Sequence, residues 1–182
     1  MKRIAIIISE GFEEVECITC IDILRRSGLQ VEVFGIADSN VTGAHGVTII
    51  CDEVFDYYTA LDFDGIVLVG GMKNAITLSE SKEVLDLIEN YYYSGKLVAG
   101  ICATPSIVFS KTNICESNIL TCYPSEDLIK NISGNFEDRD VIISNNLITS
   151  QSPSTAMDFA LTIVKYFSGS VDELMFELKG KN

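Results

Sequence analysis

The stretch Ala99–Ser106, AGICATPS, puts a cysteine where an apolar run meets a helix start. A strand, a tight turn and a helix in succession form a nucleophile elbow, which holds one side chain exposed above a sheet. The amides of the following helix start then face that side chain. They favour a thiolate, so the Cys102 thiol is expected to ionise below its ordinary range. The amides of Met72 and Ala103 are placed to receive negative charge developing on a substrate oxygen. The competing reading is a small residue at a crowded turn. The pair Gly70–Gly71, closing another apolar run, favours chemistry, because paired glycines allow a ligand or a backbone to approach closely.

A nucleophile needs a proton partner. The chain has one histidine, His45, but it lies in a hairpin pattern and reads as an exposed loop residue with no route to Cys102. Glu16 is the better candidate. On a helical wheel it shares a stripe with Cys20 and Ile23. A carboxylate on an apolar stripe is desolvated, which raises its pKa and favours the neutral acid. That acid can donate a hydrogen bond to a thiolate or shuttle a proton. A salt-bridged carboxylate at a helix edge is the alternative. Glu13 and Glu14 read as first-turn charges. Cys17 and Cys20 have C-x-x-C spacing, but a zinc site would need further ligands, and both lie in an apolar helical pattern; they read as core residues. No metal or cofactor motif is evident.

The elements that must position these residues alternate. Arg3–Ile8 (RIAIII) is a β-branched strand and Glu13–Gly28 a helix with acidic residues first and arginines last. QVEVFGI is a second strand, and Val41–Ile50 has turn residues between β-formers, as a hairpin does. Gly65–Gly71 and LVAGI are buried strands. Between them, ESKEVLDLIENYYYSG is amphipathic, with Val84, Leu87, Ile88 and Tyr91 on one stripe. DVIISNNLITS is a strand pair turning at Asn145–Asn146. A helix follows, with Ser152 as cap and Pro153 in its first position. VDELMFELK is a short last helix. This order predicts an α/β three-layer sandwich with a mostly parallel central sheet. Ligands of such sheets bind at the carboxyl ends of the strands. Ser9–Phe12, Gly70–Met72 and Cys102–Thr104 should therefore share one crevice.

The composition sets limits. The chain has 182 residues, of which 47% are hydrophobic and 21% charged, which fits one domain over 1–182 with a sizeable core. A formal net charge of −13 works against nucleic acid and anionic membrane surfaces. No run is long enough to span a membrane. The opening MKRIAIIISEGFEE is too short and too acidic for a secretory signal. Six cysteines without such a signal predict free thiols in a reducing compartment, the cytoplasm.

Four segments, EGFEEVE, LVGGM, AGICATPS and SPSTAMDFAL, resemble in order and interval the ThiJ/PfpI superfamily, in particular the clade of the parkinsonism-associated deglycase and its bacterial relatives. The resemblance runs from Lys2 to about Gly169. It implies a flavodoxin-like fold and a homodimer. It matches the family's reactive cysteine to Cys102, its buried protonated glutamate to Glu16, and its oxyanion amides to Gly71 and Ala103. Gly70, Met72, Tyr123 and Pro124 are then expected to line the pocket. The chain departs from the family at Tyr123, where many members place a histidine before the proline. It departs again at Gln151 and His45, which fill arginine slots, and at Ser152–Thr155, in place of Gly-Pro-Gly-Thr. The implied function is a cofactor-independent, metal-independent cysteine enzyme acting on a small carbonyl. Its substrate would be methylglyoxal or its early glycation adducts, as in a glyoxalase or deglycase of carbonyl and oxidative stress. The alternative is a redox-sensing, protective protein whose cysteine is oxidised to sulfinate with little turnover. A third possibility, an interaction or holdase module, rests on family analogy alone.

Overall fold

A computed structural model describes residues 1–180. In chain order the main elements are β1 (Arg3–Ile8), α1 (Glu14–Arg26), β2 (Gln30–Gly35), β3 (Asn40–Thr42), β4 (Thr48–Ile50), β5 (Glu53–Val54), α2 (Tyr57–Ala60) and β6 (Gly65–Leu68). Then come α3 (Met72–Glu80), α4 (Lys82–Tyr93), β7 (Leu97–Ile101), α5 (Thr104–Ile107), β8 (Ile119–Leu120), α6 (Glu126–Asn131) and β9 (Asn135–Phe136). The chain continues through β10 (Val141–Ser144), β11 (Leu147–Ser150), α7 (Ala156–Ser168) and α8 (Asp172–Leu178).

Seven strands form the central sheet in the order β10-β11-β7-β6-β1-β2-β5. All neighbours are parallel except β10 and β11, the turned pair at one edge. Alternation along β1 separates two cores. Ile4, Ile6 and Ile8 pack with Cys17, Cys20 and Ile23 of α1 and with Phe159, Ala160 and Ile163 of α7. Ala5 and Ile7 face the other way, onto Leu78 of α3 and the Val84–Leu87–Ile88–Tyr91 stripe of α4. Each large side chain fully buried in this way contributes about 1.5–3 kcal/mol. The result is the expected mixed α/β architecture, with a mostly parallel sheet covered on both faces.

Several elements differ from the sequence reading: the strand read over Gly65–Gly71 ends at Leu68, for example. The first helix runs Glu14–Arg26 rather than Glu13–Gly28, because Gly28 has left the helix at φ +84°. The turn Pro153–Thr155 is a 3-10 turn, and α7 proper begins at Ala156. There Thr155 Oγ1 accepts a hydrogen bond from the Ser152 N–H at 3.1 Å. Helix α3 was not anticipated at all. It starts directly after Gly71, whose φ of +89° turns the chain out of the sheet and into the helix. Among the described residues no helix is long and apolar enough to cross a membrane.

Candidate active site

Strands β1, β6 and β7 are neighbours in the sheet, so their carboxyl ends stand side by side. The three predicted segments do meet there. The Glu13 N–H donates to the Gly70 carbonyl at 3.1 Å, and the Ser9 N–H donates to Asn74 Oδ1 at 2.6 Å. Gly70 packs directly against Cys102. A Cβ added at Gly70 would lie 2.5 Å from Cys102 Cβ and 2.7 Å from Glu16 Oε2.

Cys102 leaves β7 with φ +64°, in the left-handed region that non-glycine residues rarely adopt. The surroundings hold it there. Its N–H donates to the Ser150 carbonyl at 3.0 Å, and its carbonyl accepts from the Tyr123 N–H at 2.8 Å. The helix that follows, α5, is a single turn with Pro105 in its first turn. Cys102 is half-buried, whereas the other five cysteines are buried. Cys17 and Cys20 sit in the core, as their apolar helical setting predicted.

Glu16 is fully buried on α1. Its Oε2 accepts the Gly70 N–H at 2.6 Å, while Oε1 has no hydrogen-bond partner. Its carboxyl group and the Cys102 sulfur crowd the same side of Gly70, where a Cβ would lie 2.7 Å from Glu16 Oε2 and 3.0 Å from Cys102 Sγ. Burial pushes Glu16 up to about 7, and the charge of Glu13 adds to this, against the Gly70 amide and the Cys102 thiol. The expected drop in the Cys102 pKa is overturned. Burial, and then the charge of Glu16, push the thiol up to about 12, outweighing the amides of Gly71 and Ala103 that face it. The two groups titrate as a pair. Protonating Glu16 removes the charge that opposes the thiolate.

The downward pull on Cys102 comes from the Gly71 and Ala103 amides. The Met72 and Tyr123 side chains are 51% and 44% exposed at the rim, beside the exposed Pro124. Gln151 donates to Asp138 Oδ1 at 2.7 Å. Glu14 is more than a first-turn charge: it accepts the His45 N–H at 2.6 Å, and its Oε2 is 2.8 Å from His45 Nδ1. His45 is exposed, as expected, and its partner is Glu14.

Sequence reading missed Asn74. It is completely buried. Its Nδ2 donates to the carbonyls of Val69 (2.8 Å) and Gly70 (3.1 Å), and its Oδ1 also takes the Ser9 hydroxyl at 3.0 Å. Thr104 Oγ1 likewise donates to the Val69 carbonyl at 2.8 Å. These bonds fix the Gly70–Gly71 turn against Cys102. The one available signal was a polar residue a turn after the glycine pair.

Comparison with known proteins gives the family. The model of the DJ-1/PfpI family matches residues 2–166. The protein dj-1beta of Drosophila melanogaster is 36% identical, over 92% of this chain and 90% of its own. The glutathione-independent glyoxalase DJR-1.2 of Caenorhabditis elegans is 34% identical, over 88% of this chain and 85% of its own. The solved structure of a cysteine-to-alanine mutant of a DJ-1 superfamily protein from Salmonella typhimurium superposes with a TM-score of 0.91, at 27% identity, covering 98% of each chain. With the elbow cysteine, the buried glutamate and a match over nearly its whole length, this chain belongs to the DJ-1/PfpI family.

Proposed function

We propose that the protein is a cofactor-independent glyoxalase that converts methylglyoxal to lactate through Cys102, with deglycation of early adducts as the related activity. The observation that carries this reading is the convergence of Glu16 and Cys102 on Gly70, where a Cβ would lie 2.7 Å from Glu16 Oε2 and 3.0 Å from Cys102 Sγ. The name of the nematode relative supports it.

The steps follow from the geometry. The Cys102 sulfur attacks the aldehyde carbon, forming a C–S bond, and the carbonyl oxygen gains a proton to give a hemithioacetal. The Gly71 and Ala103 amides, released from the sulfur's charge, stabilise the developing oxyanion. Glu16 as carboxylate removes the proton from the former aldehyde carbon and returns a proton to the neighbouring carbon. This internal transfer makes a thioester without net oxidation. Water then cleaves the C–S bond, releasing lactate and the free thiol. A Glu16 pKa near 7 suits a group that must both take and give a proton. The test is methylglyoxal consumption with chiral lactate detection. Cys102→Ser is expected to abolish turnover and Glu16→Gln to lower it roughly 10²-fold or more. Wild-type rates in Cys102→Ser would refute the mechanism.

A second reading, oxidation of Cys102 to sulfinate by two successive equivalents of peroxide, is favoured by one observation: Cys102 is the cysteine that is not buried. Peroxide treatment followed by peptide mass mapping should then modify Cys102 alone. Modification spread over the six cysteines would remove this reading. The same proposal takes the chain as one domain over 1–182 in a reducing compartment such as the cytoplasm, and as a homodimer. The half-exposed Val15 and Ile18 on the outer face of α1 support the last point.

A further inference from the structure

A second cluster of donor groups lies outside the cysteine pocket. Glu13 and Glu14 stand at the start of α1, and His45 lies in the loop of the β3–β4 hairpin. One donor atom from each lies within 4.8 Å of the other two. His45 Nδ1 is 2.8 Å from Glu14 Oε2 and 3.8 Å from Glu13 Oε1. Donors bound to one tetrahedral zinc ion at about 2.0–2.2 Å stand roughly 3.3–3.6 Å apart. The two His45 spacings bracket that value, and the two carboxylates lie within 4.8 Å of each other, so side-chain rotation can bring the three donors onto one ion.

The cluster is also braced from behind. Glu14 is 8% exposed, and its other oxygen, Oε1, accepts the N–H groups of His45 at 2.6 Å and Val47 at 3.4 Å. Those bonds hold Oε2 toward the imidazole, the kind of outer support that ligating carboxylates have. Gly43 leaves room for this carboxylate, since a Cβ there would lie 2.4 Å from its carboxyl carbon. The His45 side chain is 70% exposed, so an ion has an open path and water can fill its remaining positions. The net charge of −13 raises the local concentration of cations.

We propose that Glu13, Glu14 and His45 bind a first-row divalent cation of the zinc type, which ties the β3–β4 hairpin to the start of α1. One imidazole nitrogen with two carboxylate oxygens suits zinc, nickel or cobalt, whereas magnesium prefers oxygen ligands and keeps its water. The proposal does not depend on the reaction at Cys102.

His45 is the chain's only histidine, so its ring signals in a carbon-correlated NMR spectrum assign themselves. Zinc chloride titrated into the full-length protein is expected to shift or broaden them saturably at one equivalent. The same response is expected in Cys102→Ser, which excludes zinc held by the reactive thiol. Glu13→Gln, with its fold checked by circular dichroism, should weaken binding about tenfold or more, as losing a ligand does. Calorimetry on His45→Ala should lose the same binding event. Ring signals unmoved by a large excess of zinc would overturn the proposal. So would a response that disappears in Cys102→Ser, or undiminished binding in Glu13→Gln or His45→Ala.

Discussion

Cys102 sits in a backbone conformation that costs a non-glycine residue roughly 1–3 kcal/mol, and the Ser150 and Tyr123 backbone bonds are what hold it there. That strain aims the sulfur into the narrow space between Glu16 and Gly70. Gly70→Ala would drive a methyl group to 2.5 Å from Cys102 Cβ. It should cost about 1–3 kcal/mol of stability and most of the turnover, read by urea denaturation and by the lactate assay. Glu16 also predicts a pH dependence of stability. Its pKa rises from the ordinary 4.5 to about 7 on folding, so between these values the folded chain holds a proton that the unfolded chain has released. The stability from this group is complete below about pH 4.5 and is lost as the pH rises through about 7. Thermal melting should therefore fall more for wild type than for Glu16→Gln between about pH 5 and pH 8. Parallel curves would mean that Glu16 is ionised in the folded protein throughout.

At the scale of elements, the site is assembled from three neighbouring strand ends and one helix. Helix α1 brings Glu16, the turn after β6 brings Gly70 and Gly71, and the turn after β7 brings Cys102. Parallel register fixes their relative heights: Ile7 pairs with Leu68, which pairs with Gly100. Asn74, on α3, then locks the turn after β6 to the one after β1. Asn74→Ala would leave the Ser9 N–H buried without a partner, at about 1–3 kcal/mol, while the Val69 carbonyl would keep its bond from Thr104. We expect a lower denaturation midpoint and, because the amide of Gly71 is released, a loss in kcat larger than the change in KM. A variant that is destabilised but fully active would show that Asn74 supports the fold alone.

The whole molecule places its chemistry at one end of a sheet that is covered on both faces, so the core sets the position of the site without sharing its polar groups. Its strong negative charge opposes compaction by self-repulsion, which salt screens. Melting temperature should rise with sodium chloride up to a few tenths molar; a flat response would mean that local pairs such as Arg25–Asp52 already balance the field. The proposed homodimer is tested at this scale as well. Light scattering should give twice the chain mass, and Ile18→Glu, which sets a charge on the exposed apolar side of α1, should shift the population to monomer. A wild-type mass equal to one chain would remove the dimer.

Periodicity and order along the chain determined the sheet type, the helices α1, α4 and α7 and the strand–turn–helix at Cys102, and they put Glu16 forward in place of His45. These are local or chemical signals: a β-branched run, an apolar stripe, one carboxylate on that stripe. Helix α3 was hidden because a glycine pair reads as a turn whether or not a helix follows. Only the tertiary structure decided how the site is held and charged. The Glu16–Gly70 bond joins residues 54 positions apart, and Asn74 reaches Ser9 across 65. Such contacts depend on strand order and helix packing, which no short window of sequence contains. The same burial that lifts Glu16 into a useful range also lifts Cys102. The helix-start argument, correct about the amides, could not weigh them against a desolvation that exists only once the chain has folded.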